Sequence, residues 1–127
     1  MRIAVAVVRR DGLVLVQRRW RRDRFVDEFP CGRAEAGEDF TAAAIRELRE
    51  ETGLEASPAT DPPVVGETTE GQAIAYVFLD LPAGAEPRQT DPRRRQTFTW
   101  ERLDELARSP RLAGFPARDQ VFIRTGA

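Results

Sequence analysis

Between Gly32 and Leu54 the chain reads GRAEAGEDFTAAAIRELREETGL, and this stretch constrains the fold more than any other. Asp39 stands where a helix N-cap belongs, with a side chain suited to accept from an orphan amide of the first turn. Gly53 suits the left-handed residue that closes a helix. Between them Phe40, Ala44, Leu48 and Thr52 recur at i+4, with Ile45 beside them, giving one stripe for a core. Glu47, Glu50 and Glu51 follow at i, i+3 and i+4, so their carboxylates project from one side. Like charges so spaced repel by about 0.2–0.5 kcal/mol per pair. Two readings stand at this point. One is a solvated acidic face supported by Arg46 and Arg49, although Arg46–Glu50 has the poorer orientation for a helix pair. The other is a site for a hard divalent cation such as Mg²⁺, which takes carboxylate oxygens.

The full string resembles the Nudix box of the nucleoside-diphosphate-linked pyrophosphohydrolases: Gly, five residues, Glu, seven residues, then Arg-Glu-aliphatic-x-Glu-Glu-x-Gly-aliphatic. Gly32, Glu38, Arg46, Glu47, Leu48, Glu50, Glu51, Gly53 and Leu54 fill all nine specified positions. Agreement at nine places separates this motif from a short glycine pattern.

The rest of the chain is consistent with one domain, 1–127. Arg2–Val8 and Leu13–Gln17 are β-prone runs around Asp11-Gly12, a hairpin signal. A basic segment follows, with Arg18, Arg19, Arg21, Arg22 and Arg24 around Trp20. It reads either as a solvated loop or as guanidinium forks for phosphate. Trp20 reads as a stacking platform or as a lid over the core. Glu28-Phe29-Pro30 leads into the box. After the helix, Ala56–Pro63 is a loop, Val64–Thr68 and Ala73–Leu81 read as strands, and Leu81–Arg95 is a long polar connection of the kind that carries function. Gln96–Trp100 reads as a strand, Glu101–Ser109 as a short helix with Leu103 and Leu106 inward, and Pro116 as the start of a last helix through Val121 and Ile123. The order of elements predicts an α+β fold, an α/β/α sandwich with a mixed sheet between helices; the resemblance implies the same.

Every basic residue is arginine and there is no histidine, which leaves carboxylates as the acid–base groups. The formal net charge of −1 gives no global attraction for nucleic acid or an anionic membrane. The single cysteine permits no internal disulfide. No apolar run approaches a membrane span of roughly 20 residues, and MRIAVAVV is short for a signal-peptide core. The expected location is cytoplasmic, and the sequence is silent between monomer and homodimer.

What the resemblance implies is hydrolysis of a nucleoside diphosphate linked to another group, with Mg²⁺ or Mn²⁺ as cofactor. Glu47, Glu50 and Glu51 match the metal positions, with Glu50 and Glu51 also expected in catalysis. The backbone carbonyls of Cys31 and Gly32 complete the expected metal set. The family usually carries glycine where this chain has Cys31, which otherwise reads as a small structural residue. Glu38 matches the box acid near the metal and Arg46 the arginine that holds a glutamate. Family members recruit the general base from different loops; here Asp91 is the candidate outside the box, with Glu86 behind it, or both are plain surface acids. Thr69 replaces the proline of the ADP-ribose type, and Glu70-Gly71-Gln72 replaces the tyrosine of the dinucleoside-polyphosphate type. The chain is most similar to the MutT branch, which cleaves nucleoside triphosphates to monophosphate and pyrophosphate, with 8-oxo-dGTP or a related nucleotide as leading substrate. In that branch the positions matching Arg19, Phe29 and Arg118 contact the nucleotide, and Asp119 recovers the last contact by a one-residue shift. ADP-ribose, nucleotide sugars and capped RNA ends are the alternative substrates; a non-catalytic binding module of the same fold is the third reading.

Overall fold

The computed structural model describes residues 1–125; Gly126 and Ala127 lie outside the described residues. Eight strands form one mixed sheet: β1 (Arg2–Arg10), β2 (Leu13–Arg21), β3 (Arg24–Glu28), β4 (Cys31–Arg33), β5 (Ser57–Pro58), β6 (Val64–Glu67), β7 (Ala73–Asp80) and β8 (Thr97–Glu101). Three helices pack on it: α1 (Phe40–Thr52), α2 (Leu103–Leu106) and α3 (Ala117–Thr125). β1 is central. It pairs antiparallel with β2 and β4 and parallel with β7, from Arg2↔Ala73 to Arg9↔Asp80. β2 carries β3 on one side and β8 on the other, while β5 and β6 pair with β7. No described helix is long and apolar enough to cross a membrane.

The two-residue side-chain period of β1 explains the layers. Ile3, Val5 and Val7 face one core with Phe29, Tyr76, Phe115, Phe122 and Ile123, covered by α2 and α3. Ala4, Ala6 and Val8 face the other, under α1. Here Ala4, Ala6 and Ala75 meet Ala43 and Ala44 of the helix, so small side chains on both partners let α1 lie close to the sheet. The sandwich is the one expected. Asp39 caps α1 by accepting from the Ala42 amide at 2.7 Å, and Gly53 ends it at φ 75° with its N–H on the Arg49 carbonyl.

The arginine-rich segment departs from expectation. Arg18–Arg21 continue β2, and Arg24–Glu28 fold back as β3, so the expected loop is a hairpin turning at Arg22, φ 61°. Charge hides the strand signal, and the pairing with β3 and β8 overrides it. Phe29 is also corrected as a side-chain contact for a nucleotide. It is 0% exposed and packs between Phe115 and Phe122, both 5.9 Å away between ring centroids. Phe29→Ala is therefore expected to cost about 3–5 kcal/mol of stability in a denaturant titration; a loss under about 1 kcal/mol would return the ring to a surface role.

Candidate active site

One arginine organises the acidic side of α1. Arg46 donates in a fork to Glu38, at 2.9 and 3.0 Å, and bonds Glu47 at 3.0 Å and the Arg33 carbonyl at 2.9 Å. Glu50 lies farther out, 3.4 Å from the same guanidinium and 57% exposed. The Arg46 bonds hold the Glu38 carboxyl down at about 2. Gly32 of β4 lies directly beneath Glu47: a Cβ there would stand 2.1 Å from the Glu47 carboxyl carbon. The close approach of strand and carboxylate thus requires glycine at this position.

Glu51 points inward. It is 6% exposed and accepts from Gln17 Nε2 at 2.8 Å and from Arg94 at 3.2 Å. Burial, with Glu47 and Glu28 adding to it, pushes its carboxyl up to about 8. Desolvation disfavours the charged form, and neighbouring carboxylates work in the same direction. Gln17 is fully buried; its carbonyl accepts from Gln96 Nε2 at 3.0 Å, and Gln96 also donates to the Glu51 backbone carbonyl at 2.7 Å. Glu28, at the end of β3, is buried, pairs with Arg19, and stands 3.7 Å from the Cys31 thiol. Burial, then Glu28, raises that thiol well above its ordinary range, which keeps it protonated and agrees with a structural role.

Gln17, Glu28, Gln96 and Arg94 are residues of this cluster that sequence reasoning did not single out. They come from β2, β3 and the segment before β8, brought together only by sheet pairing. An inward polar residue in an apolar run, LVLVQ, was the available signal for Gln17.

The expected outer residues sort differently. Asp91 caps a 3₁₀ turn at Pro92–Arg94 and is bound by the Arg93 amide at 3.0 Å and its guanidinium at 3.1 Å. Those bonds lower its carboxyl, making Asp91 a poor proton acceptor near neutrality. Glu86 is a surface partner of Arg10. Arg19 reaches the cluster, but by way of Glu28. Asp119 is 2% exposed, accepts from the Tyr76 hydroxyl at 2.8 Å and is raised to about 6 by burial, so it is committed inside the protein. Arg118, beside it, lines a groove of about 570 Å³ with Val64, Ile74, Tyr76, Val121 and Phe122. Its Nε is buried without a hydrogen bond, 3.9 Å from the Asp119 carboxylate.

A divalent ion fits these residues by two observations. The donor set is hard oxygen, as Mg²⁺ requires, and Glu51 is a buried acid whose ionised form lacks sufficient compensation. No three His, Cys, Asp or Glu side chains among the described residues converge as a ready-made cage; Arg46 and Arg94 hold the acids instead. In metal-free protein the sign is fixed. The folded pKa of Glu51 lies above an unfolded value near 4.3, so between those values the unfolded chain binds fewer protons. Stability is then expected to fall as pH rises from about 5 to about 8, by at most about 1.4 kcal/mol per pH unit for one group. Asp119 acts in the same direction in the lower part of that window. Thermal melts in chelator should show a falling Tm, flattened above pH 6 in Glu51→Gln; a Tm that rises across the window would contradict the buried acid.

Residues 1–124 match the family described as the NUDIX domain. The ADP-ribose pyrophosphatase of Bacillus subtilis (strain 168) is 35% identical over 95 residues, which is 70% of this chain and 51% of the relative. The chain thus spans about half the length of that curated relative. Among solved structures, the MutT protein of Methanosarcina mazei Go1 superposes at TM-score 0.72 with 21% identity, over 98% of this chain and 91% of that one. The MutT NUDIX hydrolase of Burkholderia pseudomallei gives 0.70 and 24%, over 99% and 97%. At these identities the structural likeness speaks to the fold.

Proposed function

The chain belongs to the NUDIX domain family, and from that premise we propose that it is a Mg²⁺-dependent pyrophosphohydrolase of nucleoside-diphosphate-linked substrates, foremost a nucleoside triphosphatase releasing monophosphate and pyrophosphate. The observation that carries this reading is the buried Glu51, held by Gln17 beside an Arg46-organised row of acids. Glu47, Glu50 and Glu51 would hold the ion, with the Cys31 and Gly32 carbonyls of β4, the strand that lies against Glu47, completing the set. When bound, the ion supplies charge neutralisation along the phosphate chain and acidifies water.

The chain's own groups do the rest. Glu51, turned inward and held by Gln17 and Arg94, is placed to accept a proton; the carboxyl that burial raises in metal-free protein would come down beside a bound cation. Gln17, wedged between Gln96 and Glu51, fixes which way that carboxylate faces. Arg46 keeps Glu38 and Glu47 from swinging away. Arg118 supplies donors in a groove whose apolar wall is Val64, Ile74, Val121 and Phe122 and whose rim carries Glu67 and Glu70, an arrangement that suits a flat base with an acceptor edge such as O6/N7, including 8-oxoguanine. A nucleotide substrate agrees with the cytoplasmic location expected from the sequence.

ADP-ribose is the second reading, favoured by the Bacillus relative. A Mg²⁺-dependent screen of 8-oxo-dGTP, ordinary nucleotides, ADP-ribose, nucleotide sugars and diadenosine polyphosphates, resolved by ion exchange, separates the two. Monophosphate plus pyrophosphate supports the first; two monophosphate fragments from ADP-ribose support the second. No turnover of any substrate would leave a binding module. Asp91→Asn is expected to leave kcat and the pH–rate profile unchanged within about two-fold, because Asp91 is occupied by Arg93; a shifted acid limb would reinstate it as the base.

A further inference from the structure

The overall charge is close to zero, but the fold does not spread it evenly. Eight of the twenty arginines sit in residues 18–24 and 93–95, accompanied there and at the turn's cap only by Asp23 and Asp91. The pairing of β2 with β3 puts Gln17↔Glu28, Arg19↔Val26 and Arg21↔Arg24 opposite one another. Strand alternation then places Arg19, Arg21 and Arg24 on the same face as the buried carboxylates. A basic row therefore leaves the site along the hairpin and ends at its exposed tip. Arg94, in the 3₁₀ turn, reaches Glu51 from the adjoining side. Among the described residues, Arg18, Arg21, Arg22 and Arg95 have no acidic partner.

The opposite face of the same hairpin carries aromatic rings. Trp20 and Phe25 are cross-strand partners with centroids 5.1 Å apart, and Phe25 is 41% exposed. Arg95 lies over Trp20 at 4.9 Å and Arg18 over Phe25 at 5.4 Å. On this face Arg18 and Arg95 lack counter-charges beside the exposed Phe25, and Arg21 and Arg22 adjoin them at the tip, which is what a flexible polyanion bearing flat bases requires: phosphates meet guanidinium groups and bases stack on rings. An anionic membrane fits less well, because a single exposed ring, Phe25, is far short of the apolar face that insertion requires.

We propose that the β2–β3 hairpin and the 93–95 turn form a binding surface for single-stranded nucleic acid, running outward from the carboxylate site. The proposal does not rest on hydrolysis, so it is tested without it. Fluorescent single-stranded RNA and DNA of about 12 nucleotides are titrated with the protein in chelator, and anisotropy is read at several salt concentrations. Saturable binding is expected at about 50 mM salt, with log K falling linearly against log salt. The triple variant R21Q/R22Q/R24Q should weaken binding at least about ten-fold and reduce that slope by about 2, near 0.7 per lost contact. Phe25→Ala should weaken binding with the slope unchanged, since stacking carries no charge. Melting curves check that both variants stay folded, and turnover of a mononucleotide should stay at the wild-type rate. No saturable binding, an unaltered slope in the triple variant, or capture by phosphatidylserine vesicles in place of the oligonucleotide would each overturn the proposal.

Discussion

Glu51→Gln is expected to lower kcat by about 10²–10⁴-fold, the range that a positioned acid–base group contributes, while leaving the fold intact. The substitution keeps the shape and the acceptor facing Gln17 Nε2, so the packing of α1 against the sheet has no reason to change. What it removes is the proton acceptor and a negative charge in a nearly dry position. The two consequences run in opposite directions. Without metal at pH 8, the variant should melt higher than wild type, because it no longer carries a buried carboxylate forced to ionise. Activity and stability measured on the same preparation thus test one cause twice. A variant with near-normal kcat would remove Glu51 from the reaction, whatever its melting temperature.

Gly32→Ala is the second large effect, and here the fold and the site should separate. The added Cβ would meet the Glu47 carboxylate at 2.1–2.4 Å, well inside contact distance. Gly32 itself adopts no left-handed conformation, so the effect is steric rather than conformational. The far end of Glu47 can swing aside at little cost, giving up its 3.0 Å bond to Arg46. The melting temperature should move little. Mg²⁺ dependence should shift by about 10–100-fold toward higher concentration, the scale seen when a ligand's supporting contact is lost. Unchanged Mg²⁺ dependence would show that the placement of Glu47 is not required.

The box was legible because its chemistry is local: cap, stripe, acids and terminal glycine follow one another on one helix, and the structure keeps them there. Ranking the three box acids was not legible. Their spacing puts Glu47, Glu50 and Glu51 on one side, but the sheet beneath decides that Glu51 is buried and Glu50 is not. The pairing of Gln17 with Gln96 lay beyond sequence reasoning, since that bond crosses from β2 to the segment preceding β8. Asp91 looked free in a loop, because nothing in a sequence shows that Arg93 folds back to occupy it. The arginine hairpin was read as a loop because strand signals rest on apolar alternation, and here arginines occupy both faces of β2 around a lone Trp20. Net charge is silent in the same way: a sum over the chain does not say where the charges collect.

The parallel pairing of β1 with β7 has a consequence for how the chain reaches this state. β1 is made before the other described strands and is the middle strand of the finished sheet, with Ala4 to Val8 nearly inaccessible on both faces. Its partner begins only at Ala73. Local hairpins with β2 can close early, but the other edge must wait until Ala73–Asp80 has been synthesised, and such non-local pairings form slowly. During that interval Ile-Ala-Val-Ala-Val-Val presents an open, uncharged strand edge, the kind of surface on which nascent chains associate. The strand at the centre of the folded sheet is thus also one whose edge stays unpaired through much of the chain's synthesis.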